Sequence, residues 1–285
     1  MDQHERLLAG CRIIPDTVDE LSYLKHIARY EFAAAYVKGR RVLDIGCGTG
    51  YGSHFLACSG ARSVIGLDVS TEAVGYAREH FHADNLCFRT GDAQHIDIAS
   101  ASVDVVISFE AIEHLVEPER LLDEAGRTLC ADGLLVVSTP NRRFCSPFGA
   151  LHRTVNPFHA QEWLPDEFYE LLGTRFGQLT RFGQVHVDHP RQQVLGTWFR
   201  HRMHRWLIKP AYRALHETRF ERTAKQVYRT VCGPDKDRHG DVPMAASRSA
   251  PSLEEARTEH FRVREMDADQ DYLVLLAVCS QPVRP

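Results

Sequence analysis

Residues 109–115, FEAIEHL, place Glu110, Glu113 and His114 within five positions. On a helix, positions i, i+3 and i+4 share one face, so three ligand-type groups would point the same way. A solvated first helical turn, its acids favoured by the helix dipole, is the plainer reading of the same residues. A second group is DIGCGTGYG, residues 44–52, which follows an apolar run and precedes a helical one. Its glycines at 46, 48 and 50 permit a sharp turn and close approach of backbone to a ligand. Gly46, Gly48 and Tyr51 miss the G-x-G-x-x-G dinucleotide fingerprint. Asp44 precedes the first glycine; it would repel a pyrophosphate but suit an ammonium group. The pattern points to a nucleoside cofactor that carries an amino acid. Asp68 and Asp92 close two later apolar runs. A carboxylate at the first can accept from a ribose diol, and one at the second can receive an adenine amino group. A turn or helix-capping role is the plain alternative for either.

The elements that must hold these groups follow from periodicity. Residues 19–38 read as a helix, with Leu21, Leu24, Ile27 and Ala28 at helical spacing. RVLDI, SVIGLDVS, LCFRTGDA, VDVVISFE and LLVVSTPN read as five strands, separated by SHFLACSGA, TEAVGYAREHF and EPERLLDEAGRTLCADG as helices, the last closed by Gly133. The alternation means βαβ units and a parallel sheet, and the acidic and glycine residues fall at its C-terminal edge, where open α/β sheets bind ligands. DEFYELLGTRF (166–176) is a further helix; RFGQVHV and DYLVLLAVC are two further strands.

Composition sets the class. The 285 residues are 44% hydrophobic and 25% charged, with a net charge of −4, ordinary for a globular protein and without the global basic signature of a nucleic-acid binder. No apolar run approaches a membrane span, and MDQHERLLAGCRIIPD lacks a signal-peptide pattern. The eight cysteines are scattered, none in C-x-x-C, so reduced thiols and a cytoplasmic location are expected. Charge is uneven: residues 191–229 hold ten Lys/Arg and two Glu, and mix them with Trp198, Phe199 and Trp206. Residues 233–259, rich in Pro, Ser and charge, read as a mobile loop.

VLDIGCGTG, VIGLDVS, GDAQHI, VDVVISFEAIEHL and LLVVSTPN, in this order and spacing, resemble the successive motifs of class I S-adenosylmethionine-dependent methyltransferases. The resemblance runs over about 25–184 and returns at 272–279. It implies an α/β, Rossmann-like fold with a seven-stranded, mostly parallel sheet whose last strand is antiparallel, flanked by helices. The implied organisation is a single domain, 1–285: an N-terminal helical cap at 1–38, a cofactor-binding core at 39–188, a basic helical insertion with its loop at 189–271, and the last strand and tail at 272–285. By the resemblance, Asp44, Gly46, Cys47, Gly48 and Gly50 hold the methionine moiety, Asp68 and Val69 the ribose side, and Asp92 with Ala93 the adenine. Phe109 and Glu110 lie beside the sulfonium, and Tyr30 closes over the cofactor.

STPNR, NPFHAQEW and DEF extend the resemblance to bacterial sugar and natural-product O-methyltransferases. E-x-x-E-H followed by STPN and a later His also resembles small-RNA 3′-terminal 2′-O-methyltransferases, and a similar cluster occurs in ubiquinone-pathway O-methyltransferases. The metal ligands so implied are Glu110, Glu113, His114 and His159, a set suited to Mg²⁺ or Mn²⁺. A metal-free site would use His114 or His159 as general base, with Glu113 beside them. The expected reaction is O-methylation of a saccharide or glycosylated metabolite. The alternatives are a terminal ribose on RNA, with the basic segment on its phosphates, and a phenol or quinol. A small-molecule or glycan substrate is the expected partner, nucleic acid the less favoured one; a homodimer is left open. For 191–229, ordinary packing, a lid over an anionic substrate and attachment to an anionic membrane are the open readings.

Overall fold

A computed structural model describes residues 20–145, 156, 158–186, 261–266 and 272–283. The chain runs α1 (Glu20–Ala34), β1 (Arg41–Ile45), α2 (Tyr51–Cys58), β2 (Ser63–Asp68), α3 (Thr71–His80), β3 (Leu86–Thr90), β4 (Val103–Phe109), a short 3₁₀ turn (Ile112–His114), α4 (Pro118–Thr128), β5 (Leu129–Pro140), α5 (Arg142–Cys145), α6 (Pro165–Gly173), β6 (Phe176–His186), β7 (Phe261–Glu265) and β8 (Val274–Pro282).

These strands form one sheet in the order β3-β2-β1-β4-β5-β8-β6-β7. β1 to β5 pair in parallel, and β8 lies antiparallel between β5 and β6. From β1 the chain steps outward through β2 to β3, then returns to place β4 on the other side of β1. The crevice beyond β1 and β4 is therefore the topological switch point, where such sheets take ligands. Both faces are buried. Leu43 and Ile45 face one core with Leu121 and Leu122 of α4 and Phe168 of α6; Val42 faces the other with Ile27 of α1, Leu56 of α2 and Val74 of α3. That alternation is the period of two expected of a strand covered on both sides. A buried polar tie docks α1: Arg29 Nη1 donates to Gln184 Oε1 of β6 at 2.8 Å, and Gln184 Nε2 donates to the Lys25 carbonyl at 2.8 Å.

The Rossmann-like architecture and the antiparallel last strand are as expected; the strand count is not. The eighth strand, β7, pairs antiparallel with the edge of β6. It falls inside the expected 189–271 insertion because FRVRE alternates around the half-buried Val263 but exposes Arg262, Arg264 and Glu265, a short charged edge strand with little hydrophobic signal. Gly133 does not close a helix. α4 stops at Thr128, because Leu129 is buried and pairs with Val103 as the start of β5. The basic 191–229 segment and the 233–259 loop lie outside the described residues, as do residues 1–19 of the expected cap.

Candidate functional site

The β1–α2 turn builds one wall of the site. Gly46, Gly48 and Gly50 have φ of +75°, +55° and +90°, in the left-handed region that glycine reaches without strain. A Cβ on Gly46 would meet Ala111 Cβ at 2.7 Å, so the turn packs against the residue after Glu110. Asp44, on β1, is fully buried. Its carboxylate accepts from Ser53 Oγ at 2.6 Å and from the Tyr30 hydroxyl at 3.4 Å. Burial pushes its carboxyl up to about 7, against those hydrogen bonds and with some help from the charge of Asp68. Tyr30 meets Phe109 edge-on, ring centroids 5.1 Å apart, which ties α1 to the end of β4. Burial, and Asp44 beside it, hold the Tyr30 hydroxyl protonated well above its usual range.

Asp68 ends β2 with both oxygens engaged by backbone: Oδ2 accepts from Gly48 N and Oδ1 from Ser70 N, each at 2.9 Å. The first bond joins the glycine turn to the neighbouring strand end. Val69, next to it, is 69% exposed, an apolar side chain left open at the mouth. Asp92, exposed, accepts from Gln94 N at 2.8 Å, a turn that presents Ala93 and Gln94 inward.

The FEAIEHL residues do not lie along one helix. β4 ends at Phe109, Glu110 takes φ +53°, and only Ile112–His114 make a single 3₁₀ turn. A non-glycine residue held there is strained by about 1–3 kcal/mol, which is most common at functional sites. The kink separates Glu110 from the rest. Glu113, His114 and His159 bring ligand atoms within 4.8 Å of one another, and Glu110 is not of that group. Glu110 Oε1 accepts instead from Ser138 Oγ at 3.5 Å. The same kink turns Glu113 inward, 1% exposed, where it accepts from Thr139 Oγ1 at 3.1 Å. Burial, then the charge of Glu110, raise its carboxyl well above the usual range. A buried carboxyl so placed takes up either a proton or a cation.

The cluster joins two loops. The Glu113 carbonyl accepts from Ala160 N and Gln161 N, pinning the segment that carries His159. His114 Nδ1 donates to the Phe158 carbonyl at 2.7 Å. His159 Nδ1 donates to Oε1 of the buried Glu162 at 2.8 Å. Both imidazoles thus have Nδ1 fixed by an acceptor, the arrangement that leaves Nε2 as ligand or base. His159 Nε2 is met by the Asn156 amide at 2.8 Å, a contact that any ligand there must displace.

Of the site residues expected from the sequence, all but Asp44 and Gly50 line one cavity of about 550 Å³. They are Tyr30, Gly46, Cys47, Gly48, Asp68, Val69, Asp92, Ala93, Phe109, Glu110, Glu113, His114 and His159. Sequence reasoning missed His26, Thr49, Tyr51, Gln94, Leu115 and Phe158, which also line it. His26 had a legible signal, four residues before Tyr30 on one helical face. Asn156 and Glu162, which orient His159, had none, since neither periodicity nor spacing marks them.

A methyltransferase domain family matches residues 43–137, from β1 through most of β5. A ubiquinone biosynthesis O-methyltransferase of Glaesserella parasuis is 34% identical over 177 residues, 53% of this chain and 75% of that protein. The chain belongs to the class I S-adenosylmethionine-dependent methyltransferases. Another relative of this methyltransferase, named Probable S-adenosylmethionine-dependent methyltransferase, from Mycobacterium tuberculosis, is 38% identical over 166 residues, 58% of this chain and 59% of its own. The chain thus spans about three fifths of that relative's length. An S-adenosylmethionine-dependent methyltransferase from Thermotoga maritima matches the fold with a TM-score of 0.54 at 15% identity, over 91% of this chain and 90% of the other. In this methyltransferase no described helix is long and apolar enough to cross a membrane.

Proposed function

We propose that the chain is an S-adenosylmethionine-dependent O-methyltransferase that holds a hydroxyl acceptor against Glu113, His114 and His159. The observation that carries this reading is the position of that cluster on the same cavity as the glycine turn and Asp68. When bound, the cofactor supplies an electrophilic methyl group on a sulfonium. The chain's own part is to bind and align, because displacement at carbon needs the acceptor oxygen in line. Gly46 and Gly48 offer backbone without a side chain in the way, Asp68 holds the ribose side, Ala93 and Asp92 the base, and Phe109 with Tyr30 covers the sulfonium end.

A divalent cation, Mg²⁺ or Mn²⁺, fits Glu113, His114 and His159: one buried carboxyl in need of a countercharge and two imidazoles already oriented through Nδ1. Its chemistry would be to make the acceptor hydroxyl more acidic and fix its position. Glu110 stays in the proposal as the carboxylate that raises the charge demand on Glu113, not as a ligand. Without a cation, His114 or His159 would be the base, and at His159 the Asn156 amide on Nε2 would have to move first.

A saccharide hydroxyl remains the acceptor favoured by the STPNR and NPFHAQEW stretches. A phenol or quinol is the second reading, supported by exposed Phe158 and Val116 beside the cluster and by the named activity of the Glaesserella relative. A terminal ribose on RNA rests on the 191–229 segment, outside the described residues. The substrate is a small molecule or glycan. The thiols of Cys47, Cys58, Cys87, Cys130 and Cys279 are free, which suits a cytoplasmic location. Deuteromethyl cofactor offered with methyl glycosides, catechols and a short 3′-terminal RNA, with product read by mass spectrometry, tests the reading. O-methylated product supports it; methyl found only on nitrogen or carbon acceptors rejects it.

Asp44 adds a pH dependence. Its folded pKa, about 7, lies above the ordinary carboxylate value, so protonation stabilises the free protein at acid pH, and that gain is lost as pH rises through about 7. An ammonium group nearby favours the ionised form. S-adenosylhomocysteine is therefore expected to bind more tightly at pH 8 than at pH 6, and the difference to vanish in Asp44→Asn. Calorimetry at the two pH values checks this; an unchanged slope in the variant would rule out Asp44 as its source.

A further inference from the structure

α1 puts a third imidazole on the cavity. His26 and Tyr30 line it from one helical face, a wall separate from the loops that carry His114 and His159. Methyl transfer from a sulfonium to a hydroxyl releases a proton, and the cavity needs a group to receive it. His159 has both ring nitrogens in hydrogen bonds, and His114 belongs to the ligand cluster. Among the described residues the ring of His26 has no hydrogen-bond partner. We propose that His26 is the base that takes the acceptor hydroxyl's proton. The proposal rests on the O-methyltransferase reading. In the step, the hydroxyl oxygen forms the new bond to the methyl carbon and the methyl–sulfur bond breaks with its pair left on sulfur. The O–H proton passes to a ring nitrogen of His26 and leaves to solvent afterwards.

The surroundings favour a neutral, proton-accepting ring. His26 is half-buried on the cavity wall; desolvation there, then Arg29 and Lys25 on its own helix, lower its imidazole below its ordinary value. Arg29 is fully buried, its Nε and Nη2 have no hydrogen-bond partner among the described residues, and its charge also acts on Glu113. Of the elements packed on α1, α2 brings Tyr51, whose buried hydroxyl stays protonated, and β7 brings Arg262, Arg264 and Glu265, all exposed. Glu110, Glu113 and His114 line the same cavity.

The test uses the full chain, with Mg²⁺ and with catechol and a methyl glucoside as probe acceptors. His26→Gln and His26→Ala are compared with wild type for S-adenosylhomocysteine binding and for the pH dependence of kcat/KM. His26→Gln is expected to bind S-adenosylhomocysteine within about twofold of wild type yet lose about 100-fold in kcat, the usual size of a general-base contribution. Wild-type activity is expected to fall only below the ordinary imidazole range, and that acid limb to disappear in the variant. A variant with the wild-type rate, or a slowed variant that keeps the acid limb, overturns the proposal. Equal loss of S-adenosylhomocysteine binding in both variants assigns His26 to packing and also overturns it. A wild type that binds S-adenosylhomocysteine but methylates neither probe counts against the O-methyltransferase reading itself and takes the proposal down with it, an outcome distinct from a change confined to His26.

Discussion

Gly50→Ala is expected to cost several kcal/mol of stability and to abolish S-adenosylhomocysteine binding. Gly50 sits at φ +90°, where a side chain strains the backbone by about 1–2 kcal/mol. Its new Cβ would lie 2.6 Å from Ala77 Cβ and 2.8 Å from the Phe88 ring, both in the buried core behind the turn. Forcing a methyl group into such a core costs about 1–3 kcal/mol more. Against a total stability of about 5–15 kcal/mol, the sum is large. The turn cannot relax outward without moving Gly48, whose amide holds Asp68. Two glycines serve as controls. Gly48→Ala, at φ +55° with nothing within 4 Å, carries only the conformational strain and should lose cofactor more than stability. Gly39→Ala, at φ +71° with open space around it and off the cavity wall, should lose about 1 kcal/mol and leave cofactor binding alone. Urea unfolding with calorimetry separates the three. Gly50→Ala at wild-type stability would mean that the turn is not packed as described.

The second large effect concerns Glu113. Glu113→Ala should abolish saturable Mn²⁺ binding to protein saturated with S-adenosylhomocysteine, and Glu113→Gln should do nearly the same while improving the free fold. The sign follows from the raised folded pKa. Protonated Glu113 stabilises the protein at low pH, and that contribution is lost as pH rises through the folded value, where a buried charge beside Glu110 must form. Glutamine keeps the shape and can still accept from Thr139 without that charge. Glu113→Gln should thus melt with wild type at pH 4 and above it at pH 8. Mn²⁺ added at pH 8 should raise the wild type and leave the variant unmoved. Melting curves with and without Mn²⁺ decide it; a glutamine variant that binds Mn²⁺ as wild type does would remove Glu113 from the site.

β1, β2, β4 and β5, with Asp44 and Asp68 at or next to strand ends, were legible because buried parallel strands are nearly continuous apolar runs and their ends carry the polar residues; β3 buries only Phe88 and ends two residues before Asp92. The β7 strand was not, because a short charged edge strand has no face to bury. FEAIEHL was half legible. Residue types and spacing pointed to a cluster, and three of its four expected members meet. Helical spacing gave the wrong geometry, because the left-handed turn at Glu110 depends on how β4 ends against β5, with Glu110 N donating to the Ser138 carbonyl. Glu162 and Asn156 act only through His159, and such positioning residues carry no pattern of their own. The acceptor is the least legible part. Side chains that select it come from loops, where local sequence follows ligand shape and not a repeat.

The most direct test of a shared site is the distance between the Glu113–His114–His159 cluster and the transferable methyl group. S-adenosylmethionine labelled with ¹³C at that methyl is bound to the protein, and its NMR signal is followed as Mn²⁺ is added. Strong paramagnetic broadening is expected in wild type, and it should disappear in Glu113→Ala with the cofactor still bound. A methyl signal that stays sharp while both Mn²⁺ and cofactor are bound would contradict it.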